Sequence, residues 1–160
     1  MPGGPLMMAL AMRVPALARS QLGYRPLVFD KRMLTRDRLA RYAEPLTSSG
    51  ERRTRFARLL AAMDSRYTLE IVDRLRTLET PTMIVWGCED AYWTPSWAKM
   101  LYDTIPGARR LELIAFAGLC CHEEAPDRFS ASLQAFMRSA ASSADTAAPA
   151  ARNDNVLACA

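Results

Sequence analysis

The apolar pattern changes period at Pro81. Thr82-Met83-Ile84-Val85-Trp86 is a nearly continuous apolar run ended by Gly87. A short run of this kind reads as a strand buried on both faces. Thr94-Pro95 then opens a predicted helix, with Pro at its first position and Ala98, Leu101, Tyr102 and Ile105 inward. Pro106-Gly107 ends it, and Leu111–Ala115 reads as a second strand. After a loop through Gly118, Pro126 opens a last helix with Phe129, Leu133, Phe136 and Met137 inward. The order β-α-β-α predicts two parallel strands joined by a right-handed crossover.

Before Pro81 the period is helical. Thr35 caps a predicted helix that runs to about Tyr42, ahead of Pro45. Ser48 and Glu51 have capping-box spacing. Behind them Phe56, Leu59, Leu60 and Met63 fall at i, i+3, i+4 and i+7, one apolar stripe. Ile71, Val72, Leu75 and Leu78 form another. Pro5, Pro15 and Pro26 cut the first thirty residues into short pieces. The chain thus divides into a helical region 1–80, a β-α-β-α region 81–138 and a tail 139–160. The tail is mostly Ala, Ser, Asp and Asn, has little to bury, and is expected to be disordered.

Half of the 160 residues are hydrophobic and 24% are charged, a globular composition. No apolar run approaches the roughly 18 residues of a spanning helix. Leu6–Met12 is apolar but short, has nothing positive before it, and is not a signal-peptide pattern. The expectation is a cytoplasmic protein without a membrane partner. The net charge of +4 is uneven, basic before residue 80 and acidic after it, and all but Lys31 and Lys99 of the basic residues are Arg. These arginines are interleaved with acids along helical patterns and read as a solvated face; no nucleic-acid motif accompanies them. The cysteines, Cys88, Cys120, Cys121 and Cys159, form no CxxC pair and are expected to be reduced. Cys120, Cys121 and His122 are contiguous and cannot readily converge on one tetrahedral ion, so neither a metal nor another cofactor is expected.

Residues 80–137 carry a denser signal. Thr80-Pro81-Thr82-Met83-Ile84-Val85-Trp86-Gly87-Cys88-Glu89-Asp90 is followed by Thr94-Pro95, Ile105-Pro106-Gly107-Ala108, Ala117-Gly118-Leu119 and Glu124-Ala125-Pro126-Asp127-Arg128-Phe129. This order resembles the carboxyl-terminal part of the α/β-hydrolase superfamily, in its dehalogenase, epoxide-hydrolase and C–C-hydrolase-like branch. The resemblance implies an α/β fold, a partial α/β-hydrolase in which residues 1–80 are similar to the helical lid. The two strands would be the last two of an eight-stranded sheet. Asp90 then matches the acid of the catalytic triad, which orients a histidine and stabilises its imidazolium. Its alternative role is an acid that ends a strand and caps the next turn. Trp86, Trp93 and Trp97 surround it, either as pocket lining or as core and rim aromatics.

Two departures bear on activity. The family nucleophile lies in a Gly-x-Ser/Asp-x-Gly elbow before the lid, and no such pentapeptide occurs in these 160 residues. The family histidine follows the loop glycine and precedes the Glu of Glu-x-Pro by five, which is the position of Leu119. Leucine neither takes nor gives a proton. His122, the sole histidine, lies three residues on, a displacement of up to about 10 Å against a hydrogen-bond reach of about 3 Å. It serves only if the loop is rebuilt; otherwise it is a surface or helix-entry residue.

Two parallel strands do not make a stable sheet alone, and an apolar strand with an open edge is a template for association. The expected partners are a second copy or a complementary amino-terminal hydrolase half, with a small-molecule substrate only in the completed enzyme. The expected function is therefore a hydrolase fragment inactive by itself; a non-catalytic interaction module or one half of a split enzyme are the alternatives.

Overall fold

The protein is described from a computed structural model, in which residues 24–146 and Cys159 are placed. It divides into two compact units, residues 1–25 with 31–69, and residues 26–30 with 70–160. Among the described residues no helix is long and apolar enough to cross a membrane.

The first unit is a helical hairpin. Helix α1, Arg36–Thr47, starts on Thr35, whose side chain accepts from the Arg38 N–H at 3.3 Å. It does not stop before Pro45, as the sequence suggested, but carries that proline in its last turn. The missing Pro N–H removes only one late bond. Thr47 is buried and donates to the Ala43 carbonyl at 2.6 Å, holding the final turn. Helix α2, Gly50–Ala61, is capped by Ser49 rather than Ser48, one residue later than predicted. The predicted apolar stripe splits. Ala57 is buried and Phe56 and Leu60 are half-buried, whereas Leu59 and Met63 are each 63% exposed. One turn, α3 Arg66–Leu69, closes the unit.

The second unit holds the α/β part. A single turn, α4 Val72–Leu75, precedes strand β1, Thr82–Gly87. Helix α5, Pro95–Thr104, leads to strand β2, Ala108–Ile114, which pairs with β1 in parallel with Ile84 opposite Leu111 and Trp86 opposite Leu113. A short α6, Cys121–Glu124, and a long α7, Pro126–Thr146, follow. This is a mixed α/β fold with two parallel strands.

Alternation of side chains across a strand assigns the two faces. Ile84, Leu111 and Leu113 pack with Ala98, Tyr102 and Ile105 of the α5 side, and Leu75, Leu78 and Trp86 lie against them. Val85 and Ile114 face the other way, toward Ala117, Cys121 and Phe129. Both faces are covered, which is why β1 has no polar alternation.

Three details depart from the periodicity. Strand β2 begins at Ala108, earlier than Leu111, and takes in Arg109 and Arg110. Arg110 can lie in the strand because Glu112, at 3.2 Å, and Ser132 receive its guanidinium; Arg128 of α7 also reaches Glu112 at 3.0 Å. On α7 the buried residue among those described is Ser132, while Leu133 and Met137, expected inward, are exposed. Cys88 and Cys159 form a disulfide with a Cα–Cα separation of 5.6 Å, so the expectation of four reduced thiols is wrong for this pair. Only the fold brings together two cysteines 71 positions apart.

Candidate functional site

The site is built where both strands end. Past β1, the Cys88 N–H donates to the Ile114 carbonyl at 2.9 Å and continues the ladder. Glu89 then grips the loop after β2 in both directions. Its N–H donates to the Ala117 carbonyl at 3.0 Å, and its carboxylate accepts the Ala117 N–H at 2.9 Å. Gly87 lies so close that a Cβ there would collide with the carbonyl oxygens of Ala117 and Gly118.

Asp90 follows, 7% exposed. Its Oδ1 accepts from Tyr92 N–H at 2.8 Å and Trp93 N–H at 3.0 Å. The carboxylate thus caps the turn that leads to α5. Both of these bonds use Oδ1. Trp86 Nε1 donates to the Trp93 carbonyl at 2.8 Å, and Trp93 meets Trp97 edge-on with centroids 5.7 Å apart. Trp93 and Trp97 are each about half exposed and form a rim beside the Asp90 turn.

The loop from β2 to α6 carries the position expected for the triad histidine. Phe116 holds φ at 59° and is 73% exposed. A non-glycine residue in the left-handed region costs of order 1 kcal/mol and persists only where neighbours enforce it. Here the enforcement is two carboxylates: Glu89 takes the Ala117 N–H, and Glu124 takes the Gly118 N–H at 2.6 Å. The other oxygen of Glu124 accepts Phe29 N–H at 2.7 Å and Asp30 N–H at 2.8 Å. Cys120 N–H donates to the Leu27 carbonyl at 3.0 Å. Segment 26–30 is therefore stitched to the loop, and the Phe29 and Phe116 rings lie 5.9 Å apart.

Leu119 sits at this loop 41% exposed. His122 lies in α6 with its side chain 54% exposed; its Nε2 is 3.9 Å from Glu123 and its ring 6.0 Å from that of Phe129. No contact among the described residues joins it to Asp90. The neighbour the fold does bring to Asp90 is Cys120. Burial pushes the Cys120 thiol up, and the charges of Glu124 and Asp90 push it further. Cys121 is raised by burial as well, partly offset by backbone hydrogen bonding. Both stay protonated at neutral pH, which makes them weak nucleophiles and poor metal ligands. Among the described residues, no three His, Cys, Asp or Glu side chains are grouped to hold a metal ion.

Sequence reasoning singled out Asp90, Leu119 and His122 but missed the two clamps, Glu89 and Glu124. Glu124 stood in view as the acid of Glu-x-Pro, yet its partners in segment 26–30 are more than ninety positions away.

No family profile and no curated protein sequence matches the chain. Among solved structures, the chain is similar to MGS-M2, an α/β-hydrolase enzyme from a Medee basin deep-sea metagenome library. The TM-score is 0.59 at 22% identity, over 84% of this chain and 48% of that one. The chain thus spans about half the length of this structural neighbour. Its parallel strand pair and helices match part of the α/β-hydrolase fold.

Proposed function

We propose that this chain is the lid and last two strands of a hydrolase of the dehalogenase, epoxide-hydrolase and C–C-hydrolase-like branch, catalytically silent by itself. Asp90 is the acid of the triad in this reading. The observation that carries it is Leu119. The loop that would present the general base is held in place by Glu89 and Glu124, and it presents a leucine. Neither His122 nor Cys120 replaces it. The first faces Glu123 and Phe129, and the second is a thiol held protonated. Hydrolysis also needs a nucleophile, and these residues contain no elbow to supply one. Partners in this reading are a complementary amino-terminal half or a second copy, and a small molecule binds only in a completed enzyme. The Cys88–Cys159 disulfide favours an oxidising compartment over the cytoplasm.

The test is a turnover assay of the purified chain against p-nitrophenyl esters, epoxides and haloalkanes. No hydrolysis above buffer is expected, for the chain and for Leu119→His alike, because the histidine alone restores no nucleophile. Turnover by the unaltered chain that is lost in Asp90→Asn would overturn the proposal.

A further inference from the structure

Glu89 precedes Asp90 in the chain and ties the Asp90 turn to the loop after β2. Cys88 N–H donates to the Ile114 carbonyl and Glu89 N–H to the Ala117 carbonyl, so successive donors beyond β1 skip from residue 114 to residue 117. The skipped residues, Ala115 and Phe116, form a bulge with Phe116 in the left-handed region. Glu89 Oε2 also accepts the Ala117 N–H, so one residue makes both bonds to Ala117. Gly87, with no side chain, lets the two backbones meet. Asp90 lies one residue from this tie, and position 119 two residues from it. Those steps span at most about 4 and 7 Å of chain. The Cys120 thiol, one residue further, lies within reach of the Asp90 charge.

We infer that Glu89 is a positioning residue: it holds the 117–120 loop in register with the Asp90 turn, and so keeps the seat of a general base beside the acid although Leu119 fills that seat. This rests on the reading of Asp90 as the triad acid. Loss of the base is then a change of side chain within a preserved frame, and the loop itself is not rearranged. The task needs an acceptor and no charge. Glutamine can offer its Oε1 to the Ala117 N–H, whereas alanine offers nothing. Glu124 holds the same loop from the other side, through Gly118, and makes no bond to the Asp90 segment. The register between acid and seat therefore falls to Glu89.

Cys120 is a reporter already in the chain. Burial raises its thiol, and the charges of Glu124 and Asp90 raise it further. Alkylation of the full chain against pH, resolved between Cys120 and Cys121 by mass spectrometry, gives its midpoint. Asp90→Asn is expected to move the Cys120 midpoint down, since it removes a charge that disfavours the thiolate. The same downward shift is expected in Glu89→Gln. In Glu89→Ala it is expected to vanish, because the loop is no longer held at that carboxylate. Comparing Asp90→Asn with and without each Glu89 change separates the effect of Asp90 from the charge of Glu89 itself. Where Glu89→Ala does not fold, Glu89→Asp, one methylene shorter, is expected to diminish the shift. The cycle is repeated on Leu119→His with the introduced imidazole read by NMR; Asp90 is expected to raise its pKa by about one unit or more, and Glu89→Ala to abolish that rise. A Glu89 that serves stability alone would lower the urea midpoint and leave the Asp90 shift intact. An Asp90→Asn shift undiminished in Glu89→Ala or Glu89→Asp overturns the inference, as does the lack of any shift while Glu89 is in place. Turnover by the unaltered chain would sink the proposed silence of the fragment and leave this register standing, so the two failures are told apart.

Discussion

Replacing Glu124 by Ala removes the single carboxylate that holds three backbone N–H groups, those of Phe29, Asp30 and Gly118. A hydrogen bond to a charged group contributes about 1.5–3 kcal/mol when its environment is dry. The Phe29 bond is exposed and the other two are part-buried, so water recovers much of the loss. We expect Glu124→Ala to cost ~2–4 kcal/mol, a large share of the 5–15 kcal/mol by which ordinary domains are stable. Glu124→Gln is expected to fall between, because its amide nitrogen can only donate and meets a donor. Urea titration followed by tryptophan fluorescence measures both. Glu51→Ala is the control: its exposed pair with Arg55 across one helical turn is worth under about 0.5 kcal/mol. Exchange of the Gly118 amide supplies the local readout. If Glu124→Ala lies within ~0.5 kcal/mol of the unaltered chain and Gly118 exchanges no faster, the clamp does not hold this loop.

Three further outcomes follow from the same geometry. Cys159→Ser opens a loop of 71 positions; chain entropy gives up to about 4 kcal/mol of lost stability, and mass spectrometry without reductant should find two free thiols in the unaltered chain and three in the variant. Four free thiols in the unaltered, unreduced chain would sink the disulfide. Cys120 should react with iodoacetamide only at a pH above that of a free cysteine, since burial and two carboxylates disfavour its thiolate. Its protonated form is favoured in the fold, so the associated stability is present below the unfolded thiol's pKa and is lost as pH rises through the folded value; alkylation at or below the free-thiol midpoint would contradict this. Phe116→Gly should raise the unfolding free energy by up to about 1 kcal/mol, because glycine holds φ 59° freely and the ring it removes is largely exposed; clear destabilisation would mean that the Phe29 contact outweighs the strain.

Local signals carried much of the architecture. Thr35 marks a helix start through its side-chain oxygen, and Thr94-Pro95 and Pro126 through the fixed proline dihedral, signals that act over three or four residues. The unbroken apolar run of β1 announced a strand covered on both sides, and α5 and α7 cover it. The loop order around Asp90 and Gly118 likewise pointed to part of an α/β hydrolase, and the likeness to MGS-M2 supports that fold.

What the sequence left open is each fact that needs a second surface. Periodicity marks which side chains favour burial and says nothing of what arrives to cover them. Leu59, Met63, Leu133 and Met137 satisfy a helical stripe and still face solvent, while Ser132 is buried beside Arg110. Arg109 and Arg110 look like a turn until Glu112, Ser132 and Pro106 receive their guanidinium groups. The grip of Glu124 on segment 26–30 and the Cys88–Cys159 bond join residues whose separation along the chain hides them. Composition and spacing thus determined the α/β elements, while the readings of Asp90 and Leu119 came from the family resemblance. Only tertiary packing decided that the 119 loop is fixed from two sides. Contacts between distant segments depend on a three-dimensional closure that no window of the sequence contains.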